Sequence, residues 1–242
     1  MDRICVNLQL GLVEYGEAFR LQRAVAAARE TGTLPDILIT LEHPPVLTLG
    51  RRANQANIIA PEEWLRREGV SVYQSTRGGD VTYHGPGQLV GYPILAIRSL
   101  GLGAADYVHS LERAIIDLLS RYGIEGRQDP HYIGVWVVDE KVAAIGVAVS
   151  GGVSTHGFAL NVNPNLAHFR LINPCGITDK GVTSLSMLVS REVDVSEVRP
   201  LMVESFGKVF GLKMEAGDPA NLAFLGISLP TVPPTASKRE VV

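Results

Sequence analysis

The chain has 242 residues, 46% of them hydrophobic and 19% charged, which supports a folded core and excludes a disordered polymer. A formal net charge of -3 argues against nucleic acid as the main partner, because such binders carry a basic excess. The longest apolar run, residues 142–149, is far short of the roughly 20 residues of a membrane span, and the first ten residues lack the pattern of a signal peptide. The expectation is a cytoplasmic protein with no membrane contact.

Residues 5–10 alternate and predict a strand. Residues 14–30 place Phe19, Leu21, Val25 and Ala28 at helical spacing. Two β-rich runs, 36–42 and 46–50, flank H-P-P, which imposes an extended bend. Pro61 opens a short helix with acids first and arginines last, as the helix dipole prefers. Strands are predicted at 70–75 and 89–97. Helix 104–122 puts Val108, Leu111, Ile115, Leu118 and Leu119 on one face and stops at Gly123. Residues 134–138 and 141–149 read as a hairpin, 155–162 as a third strand and 196–210 as an amphipathic helix. From about residue 230 the sequence has no periodicity and is expected to be flexible. The mixture of helices and hairpins predicts one α/β domain with a mixed or largely antiparallel sheet.

Four segments bear on chemistry. In R-G-G-D-V-T-Y-H-G-P-G-Q-L-V-G-Y-P, residues 77–93, five glycines and two prolines surround Arg, Tyr and His. Glycine lets backbone approach a ligand, and proline stiffens turns. The alternative is a structural hairpin loop. The block lacks the Gly-Lys-Ser/Thr ending of a P-loop. In the hairpin, alternation would put Lys141 on one face with Ala143, Ile145 and Val147. The other face, with Ala144, Gly146 and Ala148, would leave room for a slender apolar ligand. Lys141 either snorkels to water or sits desolvated beside a site, where it could stabilise an anion or exchange a proton. His156, in T-H-G-F-A-L-N-V-N, is either a general base or a packed polar residue.

The fourth segment is I-N-P-C-G-I-T-D-K-G, residues 172–181. Two cysteines do not make a disulfide framework, and a reducing compartment is expected. Cys175 stands between proline and glycine. It is either a small buried hydrophobe or a nucleophile whose thiolate a nearby cation favours, with Lys141 and His156 as candidates. The cysteines and histidines have no metal-ligand spacing, so no metal is expected.

These motifs resemble the octanoyltransferase family. The likeness runs through E-H-P-P-V-L-T-L-G-R-R, the 77–93 block, G-V-W-V, K-V-A-A-I-G, H-G-F-A-L-N-V-N and P-C-G-I-T-D-K-G-V-T-S-L, in order over about residues 35–190. The resemblance implies a single catalytic domain, residues 1–217, with a mixed sheet flanked by helices like that of biotin and lipoate protein ligases. Residues 218–242 form a C-terminal extension. The implied reaction moves an octanoyl group from acyl carrier protein to a lysine of lipoyl domains, both those of 2-oxo-acid dehydrogenase complexes and the glycine cleavage H protein. It needs neither ATP nor another cofactor, and the acting protein is expected to be a monomer.

Carried over residue by residue, Cys175 matches the acyl-thioester nucleophile and Lys141 the lysine that lowers its pKa. Many members place a second basic residue before that lysine, where Glu140 stands here. The acyl-substrate contacts match Arg77, Gly78, Gly79, Asp80, Val81, Thr82, Tyr83 and His84, then Ala144, Ile145 and Gly146, then His156, Gly157, Phe158 and Ala159. Arg51, Arg52, Arg66, Arg67 and Arg77 are expected to offer acyl carrier protein a basic patch, or else are ordinary solvated arginines. Three rival readings remain: an ATP-dependent lipoate or biotin ligase, a non-catalytic acyl-binding module, and a cysteine hydrolase using His84 or His156.

Overall fold

The computed structural model describes residues 3–173, 180–223, 227 and 229. Strand β1 (Arg3–Leu12) leads into helix α1 (Tyr15–Glu30) and β2 (Asp36–Glu42). Then come β3 (Val46–Leu49), α2 (Glu62–Arg67), β4 (Ser71–Gln74) and β5 (Val81–His84). They are followed by β6 (Gln88–Ile94), α3 (Ala104–Ser120), β7 (Arg127–Gln128), β8 (Val135–Val137), β9 (Glu140–Ser150) and β10 (Val153–Asn161). The last elements are β11 (Gly181–Val182), α4 (Leu185–Val189), α5 (Val195–Phe210), β12 (Leu212–Gly217) and α6 (Ala220–Ala223).

One nine-stranded sheet has the order β12-β1-β2-β6-β10-β9-β8-β7, with β11 beside β9. It is mixed: β1 runs parallel to both β2 and β12, while β6, β10, β9 and β8 pair antiparallel. Helices cover both faces, so the central strands read as continuous apolar runs rather than alternating ones. On one face α1 packs Ala18, Leu21 and Val25 against Ile37, Ile39, Val90 and Ile94. On the other, α3 and α5 bury Leu111, Ile115, Leu118, Met202 and Phe206 over Leu38, Leu89 and Leu160. Each such side chain contributes roughly 2 kcal/mol by leaving water. The helical spacing legible in α3 is therefore the spacing of its contacts with the sheet. Leu222 and Ile227 pack into the α1-side core, so the chain beyond residue 217 begins as part of the folded body.

A second, three-stranded sheet has the order β4-β3-β5 and packs on α2. The sequence reading missed β5, placing no strand between residues 75 and 89. Its apolar positions, Val81 and Tyr83, are buried, but the surrounding glycines mask the alternation. It also missed β12, an edge strand without a continuous apolar run.

Gly50 joins the two halves of this region. A Cβ there would run into the Gly79 carbonyl oxygen and lie 2.9 Å from Arg77 Nη1. The obstacle is backbone, which cannot swing aside. Gly50→Ala is expected to lose about 2 kcal/mol of stability, read by urea unfolding. An unchanged midpoint would show that the loop has slack.

Candidate active site

Arg77 organises the glycine-rich segment. It is 8% exposed, and its Nε and Nη2 donate to Thr48 Oγ1 at 3.1 and 3.0 Å. Nη2 also donates to the Thr48 carbonyl, and Nη1 to the Gly78 carbonyl at 3.0 Å. The five donors of a guanidinium form a fixed fork, so these acceptors hold the loop in one place. Gly78 N–H donates to Val147 O at 2.9 Å, which ties the loop to β9. Gly79, at φ +86°, makes the turn that needs glycine. The Asp80 carboxylate accepts from Asn57 Nδ2 at 2.5 Å and Asn54 N at 3.2 Å. Beyond the loop, Val81 and Tyr83 pack into the small sheet, and the Tyr83 hydroxyl meets His168 Nδ1 at 2.7 Å. Thr82 is half-buried beside them. Arg77 is thus a buried support and cannot belong to the surface patch expected for it. Arg51, Arg52, Arg66 and Arg67 are exposed.

The structure corrects the face assigned to Lys141. The β8–β9 ladder pairs Val135 with Ala143 but Trp136 with Lys141, so Val142 is an extra residue in a bulge. The bulge reverses the alternation. Ala143, Ile145 and Val147 face α3 and α5, while the Lys141 ammonium lies over Trp136, on the opposite face. That face also carries Ala144 and Gly146, paired with Ala159 and Gly157 of β10. The side chains of Ile145 and Phe158 point to the other face, where the Phe158 ring fills the space above Gly91.

The small residues do not simply leave empty space. A Cβ on Gly146 would lie 3.1 Å from both Arg77 Cδ and Gly78 O. One on Gly157 would meet the Gly91 carbonyl and the Pro93 ring. These glycines admit neighbouring protein groups, so the room expected for a ligand above Gly146 is already occupied by the loop.

Cys175 lies outside the described residues, within 174–179. The chain on either side of that stretch makes specific contacts. Asn173 N–H donates to Asn57 O at 2.8 Å, and Asn57 is the residue that holds Asp80. After the stretch, Gly181 and Val182 pair with Glu140 and Lys141, and Thr183 N–H donates to Lys141 O at 3.0 Å. Asn173 thus contacts the residue that holds the glycine-rich loop, and Gly181 to Thr183 contact the lysine's strand. Asn57, Thr48 and Trp136 were missed in the sequence. Thr48 and Trp136 lie within the matched segments E-H-P-P-V-L-T-L-G-R-R and G-V-W-V, but only the fold brings them beside Arg77 and Lys141. Among the described residues, no group of three or more His, Cys, Asp or Glu is arranged to hold a metal ion. No helix among them is long and apolar enough to cross a membrane.

A sequence profile of the lipoyl protein ligase A/B catalytic domain matches residues 14–207. The octanoyltransferase of Desulforamulus reducens is 46% identical over 215 residues, spanning 88% of this chain and 94% of that protein. The octanoyltransferase of Solibacter usitatus is 47% identical, spanning 89% and 97%. The chain belongs to the octanoyltransferase family. A bipartite lipoate protein ligase from Thermoplasma acidophilum shares the fold at a TM-score of 0.68 and 16% identity, over 91% of this chain and 90% of that one.

In this octanoyltransferase-family chain, three buried histidines lie near Arg77. His43 Nδ1–H donates to Val13 O at 2.6 Å, and since a carbonyl only accepts, Nε2 is left to accept from the Tyr92 hydroxyl at 2.7 Å. Burial lowers its pKa to about 4. His84 Nδ1 meets Gln88 Oε1 at 3.2 Å, and burial with the charges of His43 and Arg77 holds it well below its ordinary value. His156 is lowered to about 4 by burial and then by Arg77 and Arg51. Its φ is +58°, uncommon for a residue with a side chain. Its β9 partner, Val147, faces α3 and α5, yet the His156 ring stacks on Phe19 of α1 at 5.4 Å and bonds Thr76 Oγ1 at 2.9 Å. The left-handed backbone turns the ring across the sheet to the loop. Cys5 is fully buried, and burial with the Asp36 charge pushes its thiol pKa up, so it is inert packing.

Proposed function

We propose that this chain is an acyltransferase that moves an octanoyl group from octanoyl-acyl carrier protein to a lysine of a lipoyl domain, through a thioester on Cys175. The observation that carries this reading is the 45–49% identity, over at least 83% of the chain, to proteins named octanoyltransferase. The alignment of Lys141 with the small-residue face and with β11 supports it. Residues 1–217 form the catalytic unit, with 218–242 an extension of it. The protein acts as a monomer in the cytoplasm, where Cys175 stays reduced.

In the first step the Cys175 thiolate attacks the thioester carbonyl, and the tetrahedral intermediate expels the phosphopantetheine thiolate. Lys141 stabilises the Cys175 thiolate and gives a proton to the leaving sulfur. In the second step the lipoyl-domain amine attacks the acyl-Cys175 thioester. The amide forms, the Cys175 sulfur leaves, and the amine proton returns to Lys141. A thioester is converted to an amide, which runs downhill without ATP. The Gly78 N–H is committed to Val147 O, so the oxyanion is held by other donors, each worth roughly 3 kcal/mol. Of the remaining expected contacts, residues 77–84, Ala144, Gly146, His156, Gly157 and Ala159 shape the acyl site through the loop and the β9–β10 surface, while Ile145 and Phe158 back that surface from the other face of the sheet.

Incubation with octanoyl-acyl carrier protein is expected to add one octanoyl mass to the intact chain, located on Cys175. Adding a lipoyl domain should chase it to that domain's lysine without ATP. A requirement for ATP would favour a ligase, and adduct loss to water without an acceptor would favour a hydrolase. Iodoacetamide reads the lysine's part, because buried Cys5 is protected. Unchanged neutral-pH labelling of Cys175 in Lys141→Ala would remove Lys141 from the mechanism.

A further inference from the structure

The G-V-W-V segment holds one of the chain's two tryptophans, and the chemistry above makes no use of it. The geometry points to Trp136 as the positioning residue of Lys141: its indole face holds the ammonium at the start of β9. This rests on the lysine role proposed above.

Trp136 is 1% exposed and stands opposite Lys141 across the β8–β9 ladder. Lys141 Nζ lies 4.7 Å from the indole centroid. The indole Nε1–H donates to Tyr132 O at 3.0 Å, which fixes the rotation of the ring. Gly134 leaves the lysine stem room to cross to the ring: a Cβ there would lie 3.3 Å from Lys141 Cε. The bulge at Val142 is what brings lysine and indole to the same face.

A second ammonium, Lys180 Nζ, lies 5.1 Å from the same centroid. Two cations on one ring repel each other. Here Asp129 at 3.4 Å and Asp139 at 3.1 Å offset the Lys180 charge, so the ring accepts both. Lys180 precedes β11, the strand that pairs with Lys141. One rigid aromatic thus fixes both the lysine and the start of the strand beside it.

The physical effect is pre-organisation. A ring face attracts a cation, more strongly when water is excluded. A lysine side chain has many rotamers, and ordering it costs entropy. The indole favours one of those rotamers in advance, so the ammonium is in place when the thiolate forms and needs no reorganisation.

The test compares Trp136→Phe with Trp136→Leu. Both leave a cavity, but only phenylalanine keeps a π face. The readouts are the pH midpoint of Cys175 labelling by iodoacetamide and kcat and KM for octanoyl-acyl carrier protein, with Lys141→Ala measured alongside. The Leu variant should raise the labelling midpoint and lower kcat roughly tenfold, with KM changed much less. The Phe variant should stay within about threefold of the parent. Equal behaviour of the two would assign the effect to packing and sink the inference. If both keep the parental midpoint while Lys141→Ala shifts it, the inference fails and the lysine role stands. If Lys141→Ala shifts nothing, the lysine role itself fails and takes this inference with it. Should the Leu variant not fold, Trp136→Met makes the same comparison.

Discussion

Lowering the pH from 6.5 to 4 is expected to remove several kcal/mol of unfolding free energy, a larger loss than exposed carboxylates account for. His43 and His156 have folded-state pKa values of about 4, against an ordinary value of 6.5. His84 is lowered as well. A histidine whose folded pKa is depressed binds its proton more readily in the unfolded chain. Its contribution to stability is therefore complete above pH 6.5 and is lost as the pH falls towards 4. For each of these two rings, a fall from 6.5 to about 4 corresponds to about 3 kcal/mol. Two such groups alone approach the total stability of many domains, which is roughly 5–15 kcal/mol.

The dominant cause is burial, which disfavours the imidazolium in all three rings. The Arg77 charge adds to it at His84 and His156. Urea unfolding at several values between pH 7.5 and 4 reads the slope directly. A flat stability curve between pH 6.5 and 4.5 would mean that the rings are hydrated in solution. The surface acids with lowered pKa values, among them Asp194 and Glu197, act in a lower window and contribute little because they are exposed and screened.

This histidine cluster shows where the sequence was silent. His43, His84 and His156 are far apart in the chain, and no spacing links them. They meet because β6 lies between β2 and β10, and because the small sheet folds over that surface. Tyr15 brings a fourth ring, 5.3 Å from His43 and 6.1 Å from His84. By contrast, the core helices were legible because a helix against a sheet must repeat its apolar contacts every three to four residues. The Lys141 face was misread for a different reason. Alternation holds only while the ladder is regular, and a single extra residue reverses every side chain beyond it. Nothing in K-V-A-A-I-G marks Val142 as that residue. The bulge follows from pairing with β8 on one side and β11 on the other. Arg77 was misread because a charged residue in a glycine-rich stretch looks exposed. Its acceptors, the carbonyl and hydroxyl of Thr48, lie in β3, 29 residues away, in a strand that reads as ordinary apolar sequence.

Arg77→Ala is expected to abolish most of the acyl transfer and to lower stability by about 3 kcal/mol. Removing the guanidinium takes a charged donor from the buried Thr48 carbonyl and hydroxyl, and losing such bonds at buried groups costs about 1–3 kcal/mol each. It also removes the stem that rests on Gly146, so the loop loses its seat on β9. A displacement of the loop by about 1 Å is enough to lower turnover roughly 100-fold. Arg77→Lys keeps the charge but cannot reproduce the fork, so it should recover stability better than activity. The positive charge acts on the histidines too. Without it, His84 and His156 titrate closer to their ordinary value, and the acid loss of stability between pH 6.5 and 4 becomes shallower. Lysine retains that electrostatic effect and alanine does not. Transfer assays at a temperature where all three proteins are folded, paired with urea unfolding at pH 7 and 5, separate the contributions. Parental transfer in Arg77→Ala would show that the glycine-rich loop holds itself. An acid slope unchanged by the alanine would show that desolvation alone keeps the histidines neutral.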